Sequence, residues 1–478
     1  MSRLFSINLT IILLIVPLFI FSQKRSKQSN QENRDAVAEF KNKIPQHLFN
    51  IILGRPTNRS ITLSVQMKSA ATGFVRYGKQ TNLLASTSSL YVIEKDSVAF
   101  IMLDSLEGNS RYYYQWVYRN REDSQWKQSE VYFFQTERKR GEDFVFTVQA
   151  DSHLDENTDT TIYLRTLQNM RNDKPDFLVD LGDTWMTDKY RTDFHESYQQ
   201  YHAQRYYFGK IGATASVLLT LGNHDGESGQ HKSEGQSENI MQWATRTRNA
   251  LYPNPFPNHF YSGNQEKNGS GNYIQNYYAF HWGDALIIVL DPFRYTTFNR
   301  NPWMRTLGKQ QYNWLRQTLF STKAKYKFIF IHNLVGGVDD HGIARGGSEA
   351  ASLFEWGGND ITGERKFEVN RPEFDKEIEA LLRETGVNIV FHGHDHFFAK
   401  QEKDGIVYQL VPQPGGMKYR IDNFQPEYGY KEGIFFSAPG YIRVSVSAKK
   451  ATIEFLQTGN GSIQQNGKVL YTYEIQPN

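Results

Sequence analysis

Five short apolar runs, each followed within a few residues by a hard-oxygen or imidazole side chain, constrain this 478-residue chain more than anything else in it. The run Phe144-Val145-Phe146-Thr147-Val148 leads to Asp151-Ser152-His153, and Phe177-Leu178-Val179 to Gly182-Asp183. Val217-Leu218-Leu219 leads to Gly222-Asn223-His224-Asp225, and Phe328-Ile329-Phe330-Ile331 stops at His332. Val387-Asn388-Ile389-Val390-Phe391 precedes Gly393-His394-Asp395-His396. Short apolar runs alternating with helical stretches predict an α/β domain. In open α/β sheets, residues just past the carboxyl ends of neighbouring strands converge on one rim.

Taken singly, each segment has an ordinary explanation. Gly-Asn-His-Asp can be a capped turn, and a lone His332 can be a core histidine. Five in order, each closing a strand-like run, point to a metal centre. Oxygen and imidazole donors together suit Zn, Mn, Fe, Co or Ni better than a calcium cage. The chain has no cysteine, which excludes disulfides and thiolate ligands, so His, Asp, Glu or Asn must hold any metal. A carboxylate such as Asp183, placed after a glycine, can bridge two cations.

The ordered set D-x-H, G-D, G-N-H-D, H and G-H-x-H resembles the calcineurin-like metallophosphoesterase superfamily over residues 139 to 460. The resemblance implies a four-layer α/β fold, a β-sandwich flanked by helices. It implies two divalent metal ions (Zn, Mn or Fe). Asp151, His153, Asp183 and His396 would hold one, and Asp183, Asn223, His332 and His394 the other, with Asp183 as the bridge. His224 would touch the substrate and protonate the leaving oxygen, and Asp225 would orient His224. Such a pair lowers the pKa of a bridging water and aims it at phosphorus.

Ahead of this region, period-two runs such as Ile61-Thr62-Leu63-Ser64-Val65, punctuated by Gly54-Arg55-Pro56 and Gly108-Asn109, predict a small β-sandwich. It is similar to the fibronectin-type module that precedes the catalytic domain of purple acid phosphatases. The matching stretches are Gly54-Arg55-Pro56-Thr57, Ser60-Ile61-Thr62-Leu63 and Arg111-Tyr112-Tyr113-Tyr114. The chain departs from those enzymes at Met186, where they carry an iron-bound tyrosinate, and at His153, where they have no histidine ligand. A divalent pair is therefore expected rather than a coloured ferric site.

The expected organisation is a signal peptide over 1–22, a polar tether over 23–44, the β-sandwich over 45–137 and the catalytic domain over 139–478. Arg3, the apolar stretch Leu9 to Phe21, and Ser22-Gln23 carry the first of these. That apolar stretch is short for a bilayer span, so export to a bacterial periplasm or the exterior is expected. No later segment is apolar enough to span. With 54 basic and 51 acidic residues, the charge is too balanced to indicate nucleic acid. A phosphorylated small molecule is the expected substrate.

Helices are expected over 310–319 and between Pro372 and Gly386, and strands over 441–446, 451–456 and 469–475. Two long segments, 226–275 and 333–371, are read as substrate-setting loops. In the second, Arg345 could clamp a phosphate or lie solvated, and His341 could be a loop residue or a substrate contact. Trp185 and Trp356 are candidate pocket walls. Asp291 either lines the cleft or makes a turn with Pro292, and His392 packs behind the site. His195, His202, His231, His259 and His281 lack ligand spacing and are read as surface or core. Phosphomonoester hydrolysis is the leading function, phosphodiester hydrolysis on nucleotides or lipid head groups the alternative, and a non-catalytic surface-binding role the distant third.

Overall fold

The computed structural model describes residues 44–155, 158–232, 239–298, 300–338, 344–416, 425–459 and 465–478. The expected signal peptide, the tether up to residue 43, and His341 lie outside the described residues. No helix among the described residues is long and apolar enough to cross a membrane.

The metal-motif region is built on two facing sheets. The first has six strands, ordered Ser216–Leu219, Phe177–Asp180, Phe144–Gln149, Gly440–Val446, Ala451–Gln457 and Lys468–Ile475. Its first three strands are parallel, with Phe146 opposite Phe177 and Phe177 opposite Ser216. The second sheet has eight strands, with Ala285–Val289, Tyr326–Phe330, Ile389–His392 and Ile406–Leu410 parallel at its centre. Phe177–Asp180, Ala285–Val289, Tyr326–Phe330 and Ile389–His392 are buried along their whole length, and Phe144–Gln149 at every position but Val145, as parallel strands covered on both faces must be. That is why they read as continuous apolar runs.

Aromatic side chains fill the space between the sheets. Phe146 stacks on Phe177 at 5.1 Å, meets Phe328 at 5.7 Å, and lies edge-on to Phe330 at 6.0 Å. Such pairs contribute about 0.5–1.5 kcal/mol each beyond their buried area. Helices Thr160–Asn172, Tyr198–Gly212 and Ile240–Leu251 cover the outer face of the first sheet. Gly308–Ser321 and Ile378–Glu384 cover that of the second. The result is the expected four-layer arrangement, with one rim where the parallel strands end.

Residues 49–135 form two smaller sheets, one of Phe49–Gly54, Ile61–Met67 and Val98–Leu103, the other centred on Ala71–Gly78 and Arg111–Asn120. Leu63, Val65, Tyr114 and Trp116 belong to the core these strands share, consistent with a small β-sandwich. It is fastened to the rest by Arg205, fully buried on the helix Tyr198–Gly212. This guanidinium donates to Asn50 Oδ1, Ser64 Oγ and Ser64 O, and to the Leu251 carbonyl. Tyr114 adds a hydroxyl bond to the Ala213 carbonyl at 2.7 Å.

Two expectations on secondary structure need correction. The helix placed between Pro372 and Gly386 is confined to Ile378–Glu384. Ahead of it, Phe374 stacks on Tyr312 at 4.1 Å and Asp375 pairs with Arg316, so side-chain packing holds those residues in turns. The segment 226–275 is not one long loop: it contains the helix Ile240–Leu251, capped by the Asn239 side chain. Its Arg248 is buried against Glu227. The tail strands and the helix over 310–319 form within a few residues of their expected limits.

Candidate active site

The ligand-type residues stand where the strands stop. Asp151 follows Phe144–Gln149, Asp183 follows Phe177–Asp180, and Asn223 with His224 follows Ser216–Leu219. His332 follows Tyr326–Phe330, and His394 with His396 follows Ile389–His392. Asp151, His153, Asp183, His394 and His396 all have positive φ, between 50° and 76°. Left-handed backbone at non-glycine residues carries a strain of order 1–3 kcal/mol each and clusters at functional sites. Here it turns successive side chains back over the sheet rim.

The turns come close enough together to require glycine. A Cβ on Gly182, itself at φ +96°, would lie 2.3 Å from the Gly222 nitrogen, and one on Gly222 would lie 2.2 Å from Asp183 Oδ1. The turn 180–185 is held by two buried carboxylates. Asp180 accepts from Gly182 N and Thr184 Oγ1. Asp225 accepts from four backbone N–H groups: Gly222 at 2.7 Å, Thr184 and Trp185 at 2.8 Å, and Asp183 at 3.2 Å.

Two groups of possible metal-binding side chains result. Asp151, His153 and His396 form one, and Asp183, His332 and His394 the other; within each group one ligand atom per residue lies within 4.8 Å of the rest. Asp183 Oδ2 sits between them, 3.5 Å from His153 Nε2 and 3.4 Å from His332 Nε2. Asn223 Oδ1 joins the second group, 3.0 Å from His332 Nε2. All seven side chains expected to hold metal are thus brought to one place.

Asp151 Oδ1, His153 Nε2 and Asp183 Oδ2 are buried without a hydrogen-bond partner among the described residues. Buried polar atoms are normally paired, and a converging set of unpaired oxygen and nitrogen lone pairs is what a transition-metal ion satisfies. The residues fit the group. Burial would raise the Asp151 and Asp183 carboxyls, but His396 beside Asp151, and His332 and His224 beside Asp183, hold both well below the usual range.

The imidazoles are positioned from behind. His332 Nδ1 lies 2.9 Å from the Leu181 carbonyl, and His153 Nδ1 lies 3.1 Å from Asp155 Oδ2, which also pairs with Lys189. Partners of this kind fix tautomer and ring orientation in metal-bound histidines.

The expected role of Asp225 is corrected: its oxygens are taken up by backbone amides. The carboxylate at His224 is Asp188, with Oδ1 2.9 Å and Oδ2 3.0 Å from Nδ1. Asp188 and Asp155 escaped the sequence reading. Both lie close in sequence to a motif residue, yet neither closes an apolar run, the feature that marks the ligand-type residues.

Several other candidates are taken up by neighbouring groups. Arg345 is neither solvated nor free for phosphate: it pairs with Asp395 at 2.8 Å and lies over the Tyr428 ring at 3.9 Å. Trp185 stacks on Tyr201 at 4.6 Å inside the helical layer, and Trp356 is buried against Glu379 and Tyr408, so both are core. Asp291 accepts from the Phe293 and Arg294 amides, which is the turn reading. His392 is buried behind the site, its ring pushed down to about 3 chiefly by burial.

The family model for calcineurin-like phosphoesterases matches residues 144–398, more than half of the chain. Among solved structures the chain is similar to PhoD, with a TM-score of 0.61 and 16% identity over 89% of this chain and 90% of that one. It is also similar to the purple acid phosphatase PPD1 from yellow lupin (Lupinus luteus) seeds, with a TM-score of 0.59 and 12% identity over 89% of this chain and 74% of that one. At these identities the likeness is one of fold. No curated protein matches by sequence. With strand-end donors gathered on one rim and a family model spanning them, the chain belongs to the calcineurin-like phosphoesterase family and is a metal-dependent phosphoester hydrolase.

Proposed function

We propose that this protein is an exported phosphomonoesterase working with two divalent cations. Asp151, His153, Asp183 and His396 would hold one, and Asp183, Asn223, His332 and His394 the other. The observation that carries this reading is the place of Asp183 Oδ2, between His153 and His332 at 3.5 and 3.4 Å. When bound, the cations supply Lewis acidity and neutralise phosphoryl charge. His224 faces the same centre, its backbone N–H donating to Asp183 Oδ1 at 2.8 Å. Burial lowers its basicity, but Asp188 and Asp183 outweigh that and raise it above the ordinary histidine value. With Nδ1 directed at Asp188, its Nε2 can carry a proton to the leaving oxygen. The domain limits 45–137 and 139–478, a fibronectin-type character for the first, and a signal over 1–22 belong to the same reading. Arg3 followed by the apolar stretch Leu9 to Phe21 supports export.

The test is hydrolysis of p-nitrophenyl phosphate and bis-p-nitrophenyl phosphate by the protein loaded with Zn, Mn or Fe, beside a chelated control. The expected result is preference for the monoester, lost on chelation. Preference for the diester would replace this reading with a phosphodiesterase. Turnover of neither, with two metals bound, would overturn it.

Metal uptake should also depend on pH in a defined sense. Burial lowers His332, but Asp183 and Asp151 outweigh it and push the imidazole up to about 9 in the metal-free protein. A metal taking Nε2 must therefore displace a proton over the neutral range. Uptake is expected to release protons and to weaken as pH falls. Calorimetric titration in buffers of different ionisation enthalpy measures this, and a proton count of zero at pH 7 would refute it.

A further inference from the structure

The short helical segment Thr187–Ser197 sets two adjacent residues against two different histidines of the centre. Asp188 meets His224 directly, with Oδ1 2.9 Å from Nδ1. Lys189 reaches His153 through a carboxylate. Its Nζ donates to Asp155 Oδ2 at 3.0 Å, and the same oxygen lies 3.1 Å from His153 Nδ1. The rings of His153 and His224 stand edge to face, with centroids 5.9 Å apart. Two neighbours along the chain thus serve two neighbouring imidazoles.

The Asp155 side chain is 1% exposed and that of Lys189 29%. A carboxylate buried to that degree is costly unless an opposite charge and hydrogen bonds meet it. Lys189 brings the charge in from the solvent side. With Oδ2 held on the lysine, the carboxylate has a fixed place from which to meet the imidazole. The ring is rigid, so a partner at Nδ1 sets where Nε2 points. His153 Nε2 faces Asp183 Oδ2 at 3.5 Å and Asp151 Oδ1 at 3.7 Å. The main chain of the same turn is held separately, because Gln200 Nε2 donates to the His153 carbonyl at 2.8 Å and Gln204 Nε2 to Ser152 Oγ. That support fixes the backbone and leaves the direction of the ring to its side-chain partners.

We infer that Lys189 is a positioning residue: through Asp155 it aims His153 Nε2 at the cation position shared with Asp151 and His396. The inference rests on the two-cation reading for the role of His153. It makes one of the two positions depend on a lysine that is not among the donors.

The test is Co(II) binding to the native protein and its variants, followed by calorimetry and by visible absorption of the bound ion. Removing the support behind a metal-bound histidine costs about 10- to 100-fold in affinity, so Lys189→Met should weaken one of two sites by that order and leave the other unchanged. In an Asn223→Ala background, where only the first position is expected to remain, Lys189→Met should weaken the remaining site. Lys189→Arg, which keeps a cation within reach of Asp155, should restore both the affinity and the spectrum. Asp155→Asn should reproduce the loss. Adding Lys189→Met to it should weaken the site no further, because the lysine acts only through that carboxylate. Unchanged Co(II) affinity in Lys189→Met would overturn the inference. Equal weakening of both sites in the Met and Arg variants, or full addition of the two losses in the double variant, would also overturn it and make Lys189 a general support of the fold. Lys189-dependent binding without hydrolysis of p-nitrophenyl phosphate would uphold the positioning role and reject the phosphatase reading.

Discussion

Asp183→Asn is expected to lower kcat/KM for phosphate esters by at least about a thousand-fold, the order of several kcal/mol that a bound metal contributes to charge stabilisation in the transition state. The substitution keeps the side-chain shape and can still accept from the His224 amide through one oxygen. It removes the negative charge that faces both His153 and His332. Because Asp183 stands between both donor groups, metal content should fall at both positions, whereas Asn223→Ala should affect only the second. Metal analysis of the purified variants, beside p-nitrophenyl phosphate kinetics, separates these outcomes. Retention of two metals and near-native turnover in Asp183→Asn would exclude the bridging role.

His224→Ala is expected to lower kcat by about 10²–10⁴-fold, the usual worth of a positioned general acid, with metal content unchanged. Asp188→Asn should follow in the same direction at about 10- to 100-fold, as for other carboxylates that orient an imidazole. The leaving group provides a reading that a merely structural role would not move. p-Nitrophenolate departs with little protonation, so both losses should be larger for an alkyl phosphate than for p-nitrophenyl phosphate. Asp225→Asn should behave differently. That carboxylate gathers four backbone amides from the two loops that carry Asp183 and Asn223. Its loss should lower metal content and thermal stability together. If Asp225→Asn instead copied His224→Ala with metals retained, the assignment of the partner carboxylate to Asp188 would fail.

The parts of this protein that could be read from its residues are those encoded locally. Parallel strands buried on both faces must be continuous apolar runs, so Phe144–Gln149, Tyr326–Phe330 and Ile389–His392 announce themselves. The side chains that end such runs then converge on the rim without further information. Glycines 182 and 222 mark loops that touch each other. The family could be reached by the same route, because its motif is a set of strand ends.

Other features depend on residues distant in sequence or on side-chain direction. Whether the carboxylate at His224 is its neighbour Asp225 or the more distant Asp188 depends on which way each points. Adjacency in sequence favoured the wrong one because residues i and i+1 in a turn diverge. Arg345, open in the sequence to either a phosphate or solvent, is taken up by Asp395 and Tyr428. Pro372 looked like a helix start until the stacking of Phe374 on Tyr312 held that stretch in turns. Hydrophobic pattern and backbone chemistry are properties of neighbours along the chain, and they determined the layers and which donor side chains meet on the rim. Which polar atoms find partners is a property of neighbours in space, and only the tertiary structure decided it.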